Sequence, residues 1–163
     1  MTSTIHGELR GDGLRVVVLV ARWNRNVTDR LLDGALEVLR GAGVAEGAIS
    51  VIEVPGAFEL PQAAAVVAAR GGVDAIVALG CLLKGETSHD QVIASACAHG
   101  LMDVAVSRRL PIGFGVVTAD TLAQAMARSD PAARDGKGGH KGREAAEAAI
   151  RLADALRGPG RSP

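Results

Sequence analysis

The chain has 163 residues, the length of one ordinary domain, and can bury enough surface to fold without covalent staples. Its 18 basic and 18 acidic residues cancel, so charge offers no case for a nucleic acid or an anionic membrane as partner. No apolar run is long enough for a bilayer, the opening MTSTIHGELRGDG lacks the order of a secretory signal, and Cys81 and Cys97 are too few for a disulfide framework; reduced thiols and a cytoplasmic location are expected.

Residues 1–12 read as a flexible arm. Residues 14–21 (LRVVVLVA) form a continuous apolar run, the mark of a strand buried on both faces of a parallel sheet. Residues 26–43 turn helical, with Val27, Leu31, Ala35, Val38 and Leu39 on one face. Asn26 and Asp29 suggest a capping box at its start, and Gly41 and Gly43 a stop at its end. A second strand is expected at 48–54 and an Ala-rich helix at 57–70, with Pro61 tolerated in its first turn. Residues 73–80 (VDAIVALG) read as the third strand, 89–109 as a long helix, and 110–117 as the fourth strand. Helices at 121–128 and 142–157 complete the domain, the first of them capped by Thr118 or Asp120. The alternation predicts an α/β three-layer sandwich with a four-stranded parallel sheet in a single domain over 13–158, followed by a disordered tail at 159–163.

In such folds ligands bind beyond the carboxyl ends of the strands. There is no Tyr, and the only aromatic residues are Trp23, Phe58 and Phe114. The core must therefore be built from Val, Leu, Ile and Ala. Trp23 follows the first strand, Phe58 follows the second, and Phe114 lies in the fourth, near its expected end. Any one ring could plug the core; the three together point to a pocket for a flat aromatic ligand.

The stretch 80–87 (GCLLKGET) has the glycine spacing of a phosphate loop, but Glu86 stands where that motif needs Lys, which excludes a nucleotide triphosphatase. Gly85 still allows close backbone approach, and the helix starting near Ser88 offers free N–H groups to an anion at Glu86 and Thr87. Of the histidines His6, His89, His99 and His140, only His89 falls at a strand's carboxyl end, where an imidazole suits proton transfer. Arg128, closing the helix after the fourth strand, reads either as a cation on the helix dipole or as a phosphate clamp. Histidine and cysteine spacings suggest no metal, no GxGxxG follows the first strand, and no GxSxG occurs.

These motifs converge. Residues 54–61 (VPGAFELP) and 80–89 (GCLLKGETSH), then Phe114-Gly115-Val116-Val117-Thr118, Gln124-Ala125 with Arg128, the Trp23-Asn24 pair and Lys141-Gly142 before an Ala-rich helix together resemble the lumazine synthase family over roughly residues 14–157. The resemblance implies a flavodoxin-like fold and an enzyme of riboflavin biosynthesis without cofactor. Its small-molecule substrates would be 5-amino-6-(D-ribitylamino)uracil and 3,4-dihydroxy-2-butanone 4-phosphate. It implies that Trp23 stacks on the pyrimidine, and that Ala57, Phe58 and Glu59 bind the ribityl chain. Cys81, Leu82 and Leu83 would hold the pyrimidine edge, Glu86 and Thr87 the phosphate through backbone N–H groups, and Phe114 would line the pocket. Arg128 would clamp the phosphate from a neighbouring subunit, and His89 would move protons. It further implies a homo-oligomer built on pentamers and riboflavin synthase as an expected partner. The family's lysine near the phosphate is Lys137 or Lys141, with the flanks favouring Lys141.

Three departures from the family pattern stand out: Asp90 where an aromatic residue is common, Lys84 where Arg is common, and a longer segment at 129–140. The alternative function is a non-catalytic flavin- or lumazine-binding module on the same scaffold. A response-regulator-like switch is disfavoured, because Trp23-Asn24 replaces the acidic cluster it needs.

Overall fold

A computed structural model describes residues 2–133 and 139–157. The expected tail at 159–163, and Lys137, lie outside the described residues. Four parallel strands, β1 (Val16–Ala21), β2 (Ile49–Val54), β3 (Ala75–Leu83) and β4 (Ile112–Ala119), form one sheet in the order β2-β1-β3-β4. Helices α1 (Arg25–Gly41) and α5 (Lys141–Arg157) cover one face; α2 (Leu60–Arg70) and α3 (His89–Arg108) cover the other. The short α4 (Leu122–Ala127) follows β4. This is the α/β sandwich that the alternating pattern predicts.

The sheet separates two apolar cores. Val16, Val18, Val20 and Leu79 meet Leu31, Leu39, Ala146 and Ile150 on the α1/α5 side; Leu19, Ile76 and Ala78 meet Leu60, Ala64, Cys97 and Leu101 on the other. Residues on successive strand positions point to opposite faces, so a strand buried on both sides must be apolar throughout. The largest fully buried side chains are all Leu, Ile or Val. From Gly7 onwards the N-terminal segment lies on this domain: Glu8 N–H donates to the Asp154 carboxylate (2.8 Å) and Gly11 N–H to the Ala42 carbonyl (2.7 Å).

Several boundaries differ from the sequence expectation, each for a local reason. α1 begins not at Asn26 but after Asn24, which precedes it in the left-handed conformation (φ 59°) that Asn tolerates better than most residues. Asn26 and Asp29 therefore lie inside the helix and form no box. At the other end Gly41 is the last helical residue, and Gly43 (φ 91°) turns the chain away. Residues 57–59 form a 3-10 turn ahead of α2, with Pro61 in the first turn of the helix. β4 is shifted two residues along, because the chain leaves α3 through a left-handed Arg109 and reaches the sheet only after Pro111. β3 runs on through Cys81, Leu82 and Leu83, which pair with Val117, Thr118 and Ala119. Neither Thr118 nor Asp120 caps α4. Thr121 does, accepting the Gln124 N–H at 3.2 Å while Gln124 Oε1 accepts the Thr121 N–H at 3.1 Å.

Candidate active site

A β2-β1-β3-β4 order means that the chain leaves β1 towards β2 and later returns to β3 on the other side. The carboxyl ends of β1 and β3 therefore flank the point where the connections diverge, the usual crevice of an open α/β sheet. The left-handed turn at Asn24 puts its side chain across this crevice, where Nδ2 donates to the Cys81 carbonyl at 2.9 Å. The amide is used there, not to cap its own helix. One hydrogen bond thus ties the turn that carries Trp23 to the end of β3 that leads to His89.

None of the three aromatic side chains fills the core. Trp23 is 72% exposed, Phe58 51% and Phe114 48%. Trp23 lies beside the turn after β2: a Cβ on Gly56 would come 3.7 Å from its Cδ1 and 3.2 Å from Glu59 Oε2. Glu59 Oε2 accepts the Gly56 N–H at 2.9 Å, which holds the 56–59 turn closed and leaves the second carboxylate oxygen for other donors. Ala57 is buried beneath, and Phe58 faces outwards. Trp23, Ala57, Phe58 and Glu59 are in this way brought to one end of the sheet.

The continuation of β3 adds Cys81, buried, and Leu82 and Leu83, half-buried. Burial pushes the Cys81 thiol up to about 11, so it stays protonated and unreactive at neutral pH. Lys84 N–H donates to the Ala119 carbonyl (2.9 Å), fixing the base of the next loop to β4. Glu86, Thr87 and Ser88 form an exposed turn into α3; Thr87 Oγ1 accepts the His89 N–H at 3.4 Å, and His89 itself is exposed in the first helical turn. His89 therefore reaches the same carboxyl end as Trp23.

One expected member lies apart from this group within the subunit, and another is not linked to it by any hydrogen bond or salt bridge among the described residues. Phe114 is the third residue of β4 and pairs with Ala78, three rungs before Cys81. At about 3.3 Å per rung it lies on the order of 10 Å below the crevice, not near the strand's end. Arg128, exposed at the end of α4, forms no salt bridge with any described residue. Lys141 pairs with Glu144 in the first turn of α5. An open cleft of about 670 Å³ flanks Trp23 on its β2 side, lined by Arg22, Arg25, Glu53, Val54 and Pro55; it does not extend to His89. The ion pairs of Glu53 with Arg22 (3.6 Å) and Arg25 (3.4 Å) shape this cleft and were not expected from sequence. Their signal was faint: an acidic residue on an apolar edge strand opposite one arginine in the turn after β1 and another at the start of α1.

The family model described as 6,7-dimethyl-8-ribityllumazine synthase matches residues 13–157. The 6,7-dimethyl-8-ribityllumazine synthase of Kineococcus radiotolerans is 48% identical over 93% of this chain and 90% of its own length. The enzymes of that name from Anaeromyxobacter dehalogenans and Xanthomonas campestris pv. campestris are each 41% identical, over 99% and 92% of this chain and 96% and 94% of their own lengths. The chain belongs to the 6,7-dimethyl-8-ribityllumazine synthase family. Membership makes it an enzyme of riboflavin biosynthesis, a transferase, and favours the catalytic reading over the binding module. No helix among the described residues is long and apolar enough to cross a membrane.

Proposed function

We propose that this chain condenses 5-amino-6-(D-ribitylamino)uracil with 3,4-dihydroxy-2-butanone 4-phosphate, giving 6,7-dimethyl-8-ribityllumazine, phosphate and water, in the cytoplasm. The observation that carries the reading is the Asn24–Cys81 hydrogen bond, which ties the turn bearing the exposed Trp23 to the end of β3 that leads to His89; a planar heterocycle would lie against that indole. Trp23 stacks on the pyrimidine, and the 57–59 turn receives the ribityl chain, with the free oxygen of Glu59 accepting from its hydroxyls. The backbone of Cys81, Leu82 and Leu83 meets the pyrimidine edge. Backbone N–H groups at Glu86 and Thr87, with the N-terminus of the 20-residue α3 behind them, favour the phosphate.

The substrate amine attacks the ketone and water leaves, giving an imine. Phosphate is then eliminated, the product tautomerises, and the second ring closes with loss of water. These reactants are intrinsically reactive, so the site supplies proximity and proton transfer, the latter at His89. No thiolate is needed, in keeping with the protonated Cys81.

Phe114 lies below the crevice of its own subunit and Arg128 has no salt-bridge partner among the described residues; in this reading both enter the crevice of a neighbour. The active unit is therefore a homo-oligomer, a pentamer or a pair of pentamers, with riboflavin synthase as the enzyme that takes the product onward. Light scattering that gave a particle of about sixty subunits would overturn that assembly.

The test is to mix the protein with both substrates and follow lumazine absorbance. Appearance of the product is expected; its absence with a folded protein rejects the function. His89→Ala should lower kcat by about a hundredfold with an unchanged melting temperature. An unchanged kcat would remove His89 from proton transfer and leave the assigned reaction standing.

A further inference from the structure

His140 immediately precedes α5 and is only 4% exposed. Its Nδ1 accepts the N–H of Arg143 at 3.3 Å, capping the first turn of α5. The ring sits in a notch in α1 created by Gly34, where a Cβ would fall 2.2 Å from His140 Cε1. One helical turn away a Cβ at Gly142 would lie 2.0 Å from the Leu31 carbonyl oxygen, so the two helices meet backbone to backbone.

The same place anchors the segment that carries Arg128. Lys141 N–H donates to the Arg128 carbonyl at 2.8 Å, so the residue after His140 holds the end of α4 directly. The Arg143 guanidinium donates to the carbonyls of Pro131 and Ala133 (3.2 Å each) while pairing with Glu37 on α1 (2.7 Å). The end of α4, the start of α5 and the middle of α1 are thereby joined around one imidazole.

We propose that His140 is a positioning residue for the phosphorylated substrate: seated between α1 and α5, it holds Arg128 where a neighbouring subunit's phosphate subsite needs it. The inference rests on the proposed role of Arg128 as phosphate clamp. It assigns work to a residue packed between α1 and α5, acting through their backbone.

A pH dependence follows. Burial first, and then the nearby Arg143 cation, hold the His140 pKa below its ordinary value, while Glu37 opposes them; Glu144 and Glu147 line the same small cavity from α5. The unfolded chain takes a proton near pH 6.5, while the native ring resists it until lower pH. The contribution of His140 is therefore complete above about pH 6.5 and declines as pH falls through and below that value. A protonated ring loses the lone pair that caps α5 and faces the Arg143 guanidinium as a like charge.

The experiment compares His140→Ala, His140→Asn, Arg128→Ala and the His140→Ala/Arg128→Ala double variant in steady-state assays with both substrates. Expected for His140→Ala is a rise of about tenfold in KM for the ketose phosphate, with kcat and the pyrimidine KM within about twofold. Asn offers a side-chain acceptor at the same helix position, so His140→Asn should bring the KM back towards the parent's. It should also remove most of the parent's rise in KM below pH 6.5. In the double variant the His140 substitution should add nothing to the Arg128→Ala effect. An unchanged KM in His140→Ala, or equal losses against both substrates, overturns the proposal. If Arg128→Ala itself leaves the KM unaltered, the clamp reading fails. If only Arg128→Ala raises it, the clamp stands and His140 is a cap alone.

Discussion

The two helical layers differ in how far one subunit completes them. α1 buries seven of its 17 residues, and α5 lies against it closely enough that a glycine is needed at the contact. α3, three residues longer, buries only Cys97 and Leu101, and turns Val92, Met102 (62% exposed) and Val106 (69% exposed) outwards. The exposed Phe58 and Phe114 belong to this second side of the sheet or its rim. An apolar residue left in solvent is ordinary; a row of them along one helix marks a contact surface. The first layer is a finished core, whereas the second leaves an apolar face that other copies of the chain would complete in the proposed assembly. The proposed substrate crevice opens where the two kinds of surface meet.

The largest effect should come from disturbing the finished layer. Gly142→Val places a side chain where the Leu31 carbonyl already is, and neither backbone can yield without separating α1 from α5. We expect a loss of about 3 kcal/mol or more and little soluble protein, read by thermal melting. A melting temperature equal to the parent's would show that the layer is not rigid, and would weaken the contrast at its root. The second effect separates folding from assembly. Met102→Glu with Val106→Glu should leave far-UV dichroism unchanged, because neither side chain is in the core. Sedimentation should nevertheless show smaller species, and turnover should fall on the order of a hundredfold as the neighbour's Arg128 and Phe114 are withdrawn. Full activity in a dispersed subunit would end the proposal that the site is shared.

Much of the finished layer was legible in the sequence, because burial on one face leaves a periodic trace. Val27, Leu31, Ala35, Val38 and Leu39 announced α1, and the unbroken apolar run at 16–21 announced a strand covered on both sides. Boundaries were less legible where backbone geometry, not periodicity, sets them. Asn24 reads as a strand-end polar residue until its left-handed turn and its bond to Cys81 are seen; Asn26 then loses the capping role its spacing suggested. Phe114 was placed too near the end of β4 because Leu110 and Pro111 look like strand residues, yet Leu110 N–H is spent on the Ala105 carbonyl of α3. His140 left almost no trace: a histidine among glycines reads as surface. The available hint was Gly34, a residue unfavourable in mid-helix unless something must approach. His89, by contrast, was singled out by its motif and its place after a strand, and the structure puts it at the same end of the sheet as Trp23.

The smallest effect tests the join between the layers and the clamp. α4 has only six residues and ends at Arg128, and its first turn is closed reciprocally by Thr121 and Gln124. Thr121→Ala removes the acceptor for the Gln124 N–H, while Gln124 Oε1 can still accept from Asp120 and Thr121. Half of the cap survives, so the cost should be about 1 kcal/mol, a fall of about 3 °C in melting temperature at fixed protein concentration. Because α4 is also held at its far end by the Lys141–Arg128 backbone bond, KM for the ketose phosphate should rise by only about twofold. A rise as large as that of Arg128→Ala would mean that the cap, and not the α1/α5 junction, sets the position of the guanidinium. An equal rise in the pyrimidine KM would mean that α4 serves the whole crevice and not its phosphate end.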